Sequence, residues 1–267
     1  MRTIKPLYSE EDYKRIESEA IQFQNGVGKR LQRYLIFKSY ISANYVSDWW
    51  EEYVYLRGRS PIMVNSNFYA LDSIVQTSSS NQAARAANVI TAIFMYRKLL
   101  DDEKIEPIMV QNVIPLCSRQ YERQFNTTRI PGEQTDILMH YKDSKHVAVY
   151  CRGKWYKLYT YYQSQNLNAR ELETQIQKIL DDESPPLNGE KYLGALTAGD
   201  RIPWAQARKK YFSKGVNKSS LHAIEKAAFV VVLEDDEFPY STVILKYFIL
   251  IINYKFLNKE NRISLIL

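Results

Sequence analysis

Apolar side chains recur at helical spacing from the start of the chain. Ser9 and Asp12 form an N-terminal capping signal, and Tyr13, Ile16, Ala20 and Phe23 then fall on one stripe, which predicts an amphipathic helix ended by Asn25-Gly26. A second helical pattern runs from Lys29 to about Tyr40. The stretch from Asp48 to Tyr55 predicts a further helix whose aromatics would bury one face, and the run from Arg57 to Pro61 breaks it. Ile62, Met63 and Val64 read as a short strand, and residues Asn81 to Leu100 as a long helix with Ala83, Ala87, Ile90 and Phe94 facing inward.

The second half alternates differently. His146 to Cys151 and Trp155 to Tyr159 are two β-rich runs around a turn containing Gly153, the clearest hairpin in the chain. Asn168 with Glu171 predicts a capped helix carrying Leu172, Ile176 and Ile179, which stops before Ser184-Pro185-Pro186. A last helix near Ser219 to Ala228 feeds a strand from Phe229 to Leu233. Helices interleaved with short strands, and no repeat of fixed period, make the chain α/β. From Thr242 onward the text changes to Ile, Leu, Phe, Tyr, Asn and Lys. Lys246 interrupts that apolar run before it reaches the roughly 20 residues a bilayer requires. A buried strand or helix, or a sequence foreign to the preceding fold, are the remaining readings of 242–267.

Composition narrows the class. Across 267 residues, 45% hydrophobic and 25% charged side chains exclude collagen-like, low-complexity and wholly disordered chains. Cys117 and Cys151 cannot build a disulfide framework or a zinc site, so a reducing compartment is expected. Met1 to Pro6 runs straight into Ser9-Glu10-Glu11-Asp12, which is neither a signal peptide nor a spanning helix. The net charge of +6 raises nucleic acid or an anionic surface as partners, but Lys246, Lys255, Lys259 and Arg262 against Glu260 place half of it after Thr242, so no nucleic-acid partner is expected.

Generic catalytic patterns are weak. His140 in a polar helix-or-loop segment, His146 at the opening of the hairpin and His222 in a helix each read as structural or solvated, and none has an acidic residue at a useful spacing. Gly26-Val27-Gly28-Lys29-Arg30 lacks the early Gly and the Ser/Thr of a phosphate loop and reads as a helix-ending turn. Asp101-Asp102-Glu103 and Asp181-Asp182-Glu183 read as solvated turns and no metal site is expected; Asn126 and Asn217 match the glycosylation pattern.

Several longer runs carry more. Ser47 to Tyr53 (SDWWEEY) with Tyr55 to Arg59 (YLRGR), Met63 to Asn67 (MVNSN), Gln82 to Ala86 (QAARA) and Phe125 to Gly132 (FNTTRIPG) occur in order. Asp143 to His146, Leu196 to Arg201 (LTAGDR), Trp204 to Arg208 (WAQAR) and Ile224 to Phe229 (IEKAAF) follow at matching separations. Together they resemble the choline/carnitine acyltransferase family, most closely its carnitine O-palmitoyltransferase branch, over residues 1–238. The resemblance implies an incomplete two-lobed, chloramphenicol acetyltransferase-like α/β fold, with 1–241 as the N-terminal portion of the acyltransferase domain and 242–267 as a tail outside it.

It also implies transfer of a long acyl group between coenzyme A and carnitine, these being substrates, with no further cofactor. The family's catalytic His lies in an Ala-Glu-His-Ser-Trp-Ala-Asp-like stretch beyond the part matched here, so no catalytic residue is assigned and the chain alone is expected to be inactive. Trp50 and Tyr55 match the positions at which the family lines the carnitine carboxylate; the other reading is a pair of core aromatics. Arg129 is either an ion-pair partner or a site-shaping residue. The branch implies the mitochondrial outer membrane, reached through spanning helices upstream of the matched part. A non-catalytic binding or regulatory product, or a truncated one, is the alternative.

Overall fold

The computed structural model describes residues 3–62, 81–163, 165–235, 254–255 and 262–266, the last two stretches by backbone only. The chain divides into two compact units, Met1–Leu56 and Arg57–Leu267.

The first unit is helical. Helix α1 (Glu10–Phe23) starts where expected, with the Ser9 side chain accepting from the Asp12 amide. Asn25-Gly26 does not end it. Residues Gln24–Gly28 form a π-helical turn that runs directly into α2 (Lys29–Ile41). The reason lies in Gly28: a Cβ there would come within 2.8 Å of both the Phe23 ring and its carbonyl, so the missing side chain admits a close approach inside a continuous helix. Helix α3 (Ser47–Trp50) leads into a second π-helical turn, Glu51–Leu56. The aromatics of this segment do not bury one face: Trp50, Tyr53 and Tyr55 are exposed and only Leu56 is buried.

The second unit holds the core. Helix α4 (Gln82–Asp101) is capped by the Asn81 side chain and buries Ala83, Ala86, Ala87 and Ile90, with Phe94 packed at the margin. Two small antiparallel pairs follow, β1 (Met109–Val110) with β2 (Ile114–Pro115), and β3 (Thr127–Ile130) with β4 (Ile137–His140). His140 therefore sits in a strand opposite Thr127, not in a helix or loop.

The predicted hairpin is β5 (His146–Cys151) and β6 (Lys154–Tyr159), closed by Arg152 and Gly153. Both turn residues have positive φ, 47° and 83°, as a two-residue turn that follows the strand twist requires. A short pair, β7 (Tyr161–Tyr162) and β8 (Gln165–Asn166), precedes α5 (Ala169–Leu180). Asn168 and Glu171 make a reciprocal capping box at its start. Helices α6 (Leu193–Ala198), α7 (Arg201–Tyr211) and α8 (Gly215–Glu225) then return the chain to β9 (Val230–Glu234), which lies parallel to β5. The backbone of β10 (Tyr254–Lys255) and β11 (Arg262–Ile266) extends this sheet in the order β10-β11-β9-β5-β6.

β5 is an inner strand, flanked by β9 and β6, and is buried along nearly its whole length, which is why it reads as a continuous apolar run, whereas β9 alternates. Leu172, Ile176 and Ile179 of α5 join α4 and this sheet in one cluster, in which Phe125 and Phe229 meet edge-on at 6.4 Å. Full burial of such aliphatic side chains contributes about 1.5–3 kcal/mol each. No helix among the described residues is long and apolar enough to cross a membrane, and the expected strand at Ile62–Val64 lies mostly outside them.

Candidate functional site

Within the first unit, Lys38 is almost wholly buried and organises the segment that carries Trp50. Its ammonium lies 2.7 Å from Asp48 and 4.3 Å from the centre of the Trp49 ring, and Tyr34 stacks on the same indole at 5.9 Å. The hydrogen bond from Lys38 holds the Asp48 carboxyl below its usual range. Lys38, Tyr34 and Trp49 thus fix the start of α3 by charge and ring contacts instead of an aliphatic core.

Trp50 closes α3 and Tyr55 lies in the π-helical turn that follows. Both are more than half exposed, at 58% and 59%. They are not core aromatics of this unit. An indole N–H and a phenol O–H on apolar bodies suit an oxyanion held in a partly apolar cavity.

In the second unit, Arg129 is an ion-pair partner. Its Nε donates to Asp136 Oδ2 at 2.6 Å, Arg201 Nε donates to the same oxygen at 2.8 Å, and Arg59 reaches Oδ1 at 3.0 Å. Asp136 also accepts from the Gly132 amide, and Arg59 donates to the Gly132 carbonyl at 2.6 Å. Burial alone would raise the Asp136 carboxyl; Arg129, the Gly132 amide and Arg201 outweigh it and hold the group below the ordinary carboxylate range. The cluster pins the Ile130-Pro131-Gly132 loop. Sequence reading passed over Asp136, whose only signal was an acid seven positions after Arg129 beside a strand.

The histidines are engaged elsewhere. His146 is buried, with Nε2 2.6 Å from the Ala223 carbonyl, and burial lowers its pKa. His140 Nδ1 meets Thr127 Oγ1 at 3.0 Å. His222 packs edge-on against Tyr141, and burial together with Lys226 and Lys218 lowers its pKa. Asp182, expected in a solvated turn, accepts from Lys154, Tyr156 and Ser184, and Lys154 first among them holds it far below its usual range. Asn126 is buried, which removes it as a glycosylation acceptor. An open groove of about 390 Å³ runs between α7, α8 and the 130–133 loop, with Phe212 and Leu221 in its lining. In its wall the buried Glu225 pairs with Arg208 at 2.8 Å.

Along the chain, a helical unit is followed by an α/β unit built on a mixed sheet. The chain belongs to the choline/carnitine O-acyltransferase family, whose model matches residues 1–261. It is 55% identical over 239 residues to carnitine O-palmitoyltransferase 1, muscle isoform, of Rattus norvegicus, covering 90% of this chain and 31% of that protein. The human liver isoform is 54% identical over 241 residues, with 90% and 31% covered. Choline O-acetyltransferase of Sus scrofa is 30% identical over 251 residues, with 88% and 38% covered. The chain thus spans about a third of the length of these relatives, all of them O-acyltransferases by name.

Proposed function

We propose that this chain forms the amino-terminal part of the acyl-transferring region of a carnitine O-palmitoyltransferase, whose whole protein moves a long acyl group between coenzyme A and carnitine. The observation that carries the reading is the 55% identity to the rat muscle enzyme, which covers 90% of this chain.

In this reading Trp50 and Tyr55 direct N–H and O–H donors at the carnitine carboxylate, while the Lys38–Asp48 pair and the Tyr34–Trp49 stack hold the segment in place. The carnitine hydroxyl must lose a proton as it attacks the thioester. His140, His146 and His222 are each committed to a neighbour other than a carboxylate, so the general base comes from the part of the relatives beyond the span matched here. Carnitine and acyl-CoA are substrates of the whole protein, with no other cofactor, and its place is the mitochondrial outer membrane.

The test is a chimera in which residues 1–238 replace the matching third of the rat muscle relative. The expected result is conversion of palmitoyl-CoA and carnitine to palmitoylcarnitine by the chimera, and none above a heat-treated control by the 267-residue chain alone. A folded chimera without turnover overturns the reading.

A further inference from the structure

The charge of the folded chain is concentrated where the sequence pattern did not place it. Residues 201–226 hold seven basic side chains against Glu225 alone, a surplus equal to the +6 of the entire chain. Two of the seven are consumed internally, Arg201 by Asp136 and Arg208 by Glu225. The tip between α7 and α8 carries four more, Lys209, Lys210, Lys214 and Lys218, all exposed. None of these four makes an ion pair among the described residues.

Local structure explains only half of them. Lys209 and Lys210 occupy the last turn of α7, where cations complement the helix dipole. Lys214 and Lys218 flank the start of α8, where the dipole disfavours them, and that first turn contains no acid and no side-chain cap. The tip also projects apolar groups into solvent, Val216 at 78% exposure and Tyr211 at 56%. A lone run of lysines is an ordinary solvated face. Lysines interleaved with an exposed valine and a half-exposed tyrosine, over whose ring Lys210 lies at 5.0 Å, are not, because that pattern matches the boundary between headgroups and acyl chains.

We propose that the α7–α8 tip, residues 209–218, is a docking surface for an anionic phospholipid bilayer. The four lysines supply charge complementary to the headgroups, and Tyr211 and Val216 enter the interface between them. A nucleic acid would answer the charge, but it offers no apolar layer for Val216, so the bilayer is the better fit. The proposal stands on the exposed tip and not on the acyltransferase reading.

The experiment is sedimentation of the full 267-residue chain with vesicles of phosphatidylcholine alone, or with about a third phosphatidylserine. Binding to the anionic vesicles only, weakened by salt, is expected. Each lysine changed to Gln should lower the partition coefficient about fivefold, and the quadruple variant by more than about a hundredfold. Val216→Ser should weaken binding at unchanged charge. A control variant with Lys14, Lys29, Lys142 and Lys178 changed to Gln loses the same net charge from other exposed positions. Thermal melting confirms that all variants fold. Equal loss in the control, no effect of Val216→Ser, or tighter binding to a duplex oligonucleotide than to anionic vesicles would each overturn the proposal.

Discussion

Arg201 Nε lies 2.8 Å from Asp136 Oδ2, joining a helix to the turn before β4 across 65 positions of sequence. Asp136 has no exposed side-chain surface and answers three guanidiniums at once. Replacing it with Asn keeps the shape but leaves Arg59, Arg129 and Arg201 without their shared counter-charge. Removing one member of a buried pair costs about 3–5 kcal/mol, and Asp136→Asn should fall in that range by urea denaturation. Arg129→Gln should cost less, because its side chain is 24% exposed and water reaches the vacated site. Equal stability of wild type and Asp136→Asn would show that the cluster does not hold the 130–132 loop.

The same carboxyl sets part of the pH response. Its folded pKa is depressed, so its stabilisation is complete above the unfolded value of about 3.9 and is lost as pH falls through the folded one. His146 acts in the same direction at higher pH: burial keeps it neutral, and stability drops as pH falls below about 6.5, where the unfolded imidazole takes a proton. Glu225 opposes both, since burial raises its folded pKa and its contribution is lost as pH rises through that value. Melting temperature should therefore fall in two stages on acidification. His222, whose pKa is lowered as well, adds to the first stage, so His146→Gln, which can still donate to the Ala223 carbonyl, should shrink that stage and leave the second.

The two glycines of the first π-helical turn make opposite predictions. Nothing lies within 4 Å of a Cβ at Gly26, so Gly26→Ala should stabilise by about 0.5–1 kcal/mol through helix propensity. At Gly28 a Cβ would meet the Phe23 carbonyl and ring at 2.8 Å, so Gly28→Ala should destabilise despite the same propensity gain. Thermal melts of the two single variants check the sign of each.

Trp50 and Tyr55 are exposed in this chain, so their substitution should change stability by no more than about 0.5 kcal/mol. Their effect should appear in substrate binding. A hydrogen bond to a charged group contributes about 1.5–3 kcal/mol, so Trp50→Phe and Tyr55→Phe in the active chimera should each raise the KM for carnitine about 10- to 150-fold. The KM for palmitoyl-CoA should not move. A fall in kcat with unchanged carnitine KM would place both residues elsewhere in the mechanism.

Legibility in the sequence followed the range of the interaction. The Arg152-Gly153 hairpin, the Asn168–Glu171 capping box and the inward stripe of α4 are local devices, and each is read directly from a few neighbouring residues. The π-helical turn at Gln24–Gly28 was hidden because Gly signals a stop equally well, and the reason it does not stop here is a contact with Phe23. Trp50 and Tyr55 came forward through a resemblance, since spacing alone does not separate a site aromatic from a core one. Asp136 is not legible because its arginines come from three separate stretches, and the basic tip at 209–218 is not because its lysines lie at the ends of two helices that only the fold joins into one tip.

The most direct test of the functional account is the substrate choice of the chimera carrying residues 1–238, measured as kcat/KM for carnitine against choline with palmitoyl-CoA as donor. The named relatives include both a carnitine and a choline enzyme, so both substrates are compared. The account predicts turnover with carnitine, its kcat/KM lowered about 10- to 150-fold by Trp50→Phe, and little or none with choline. A preference for choline, or carnitine turnover indifferent to Trp50 and Tyr55, would contradict it.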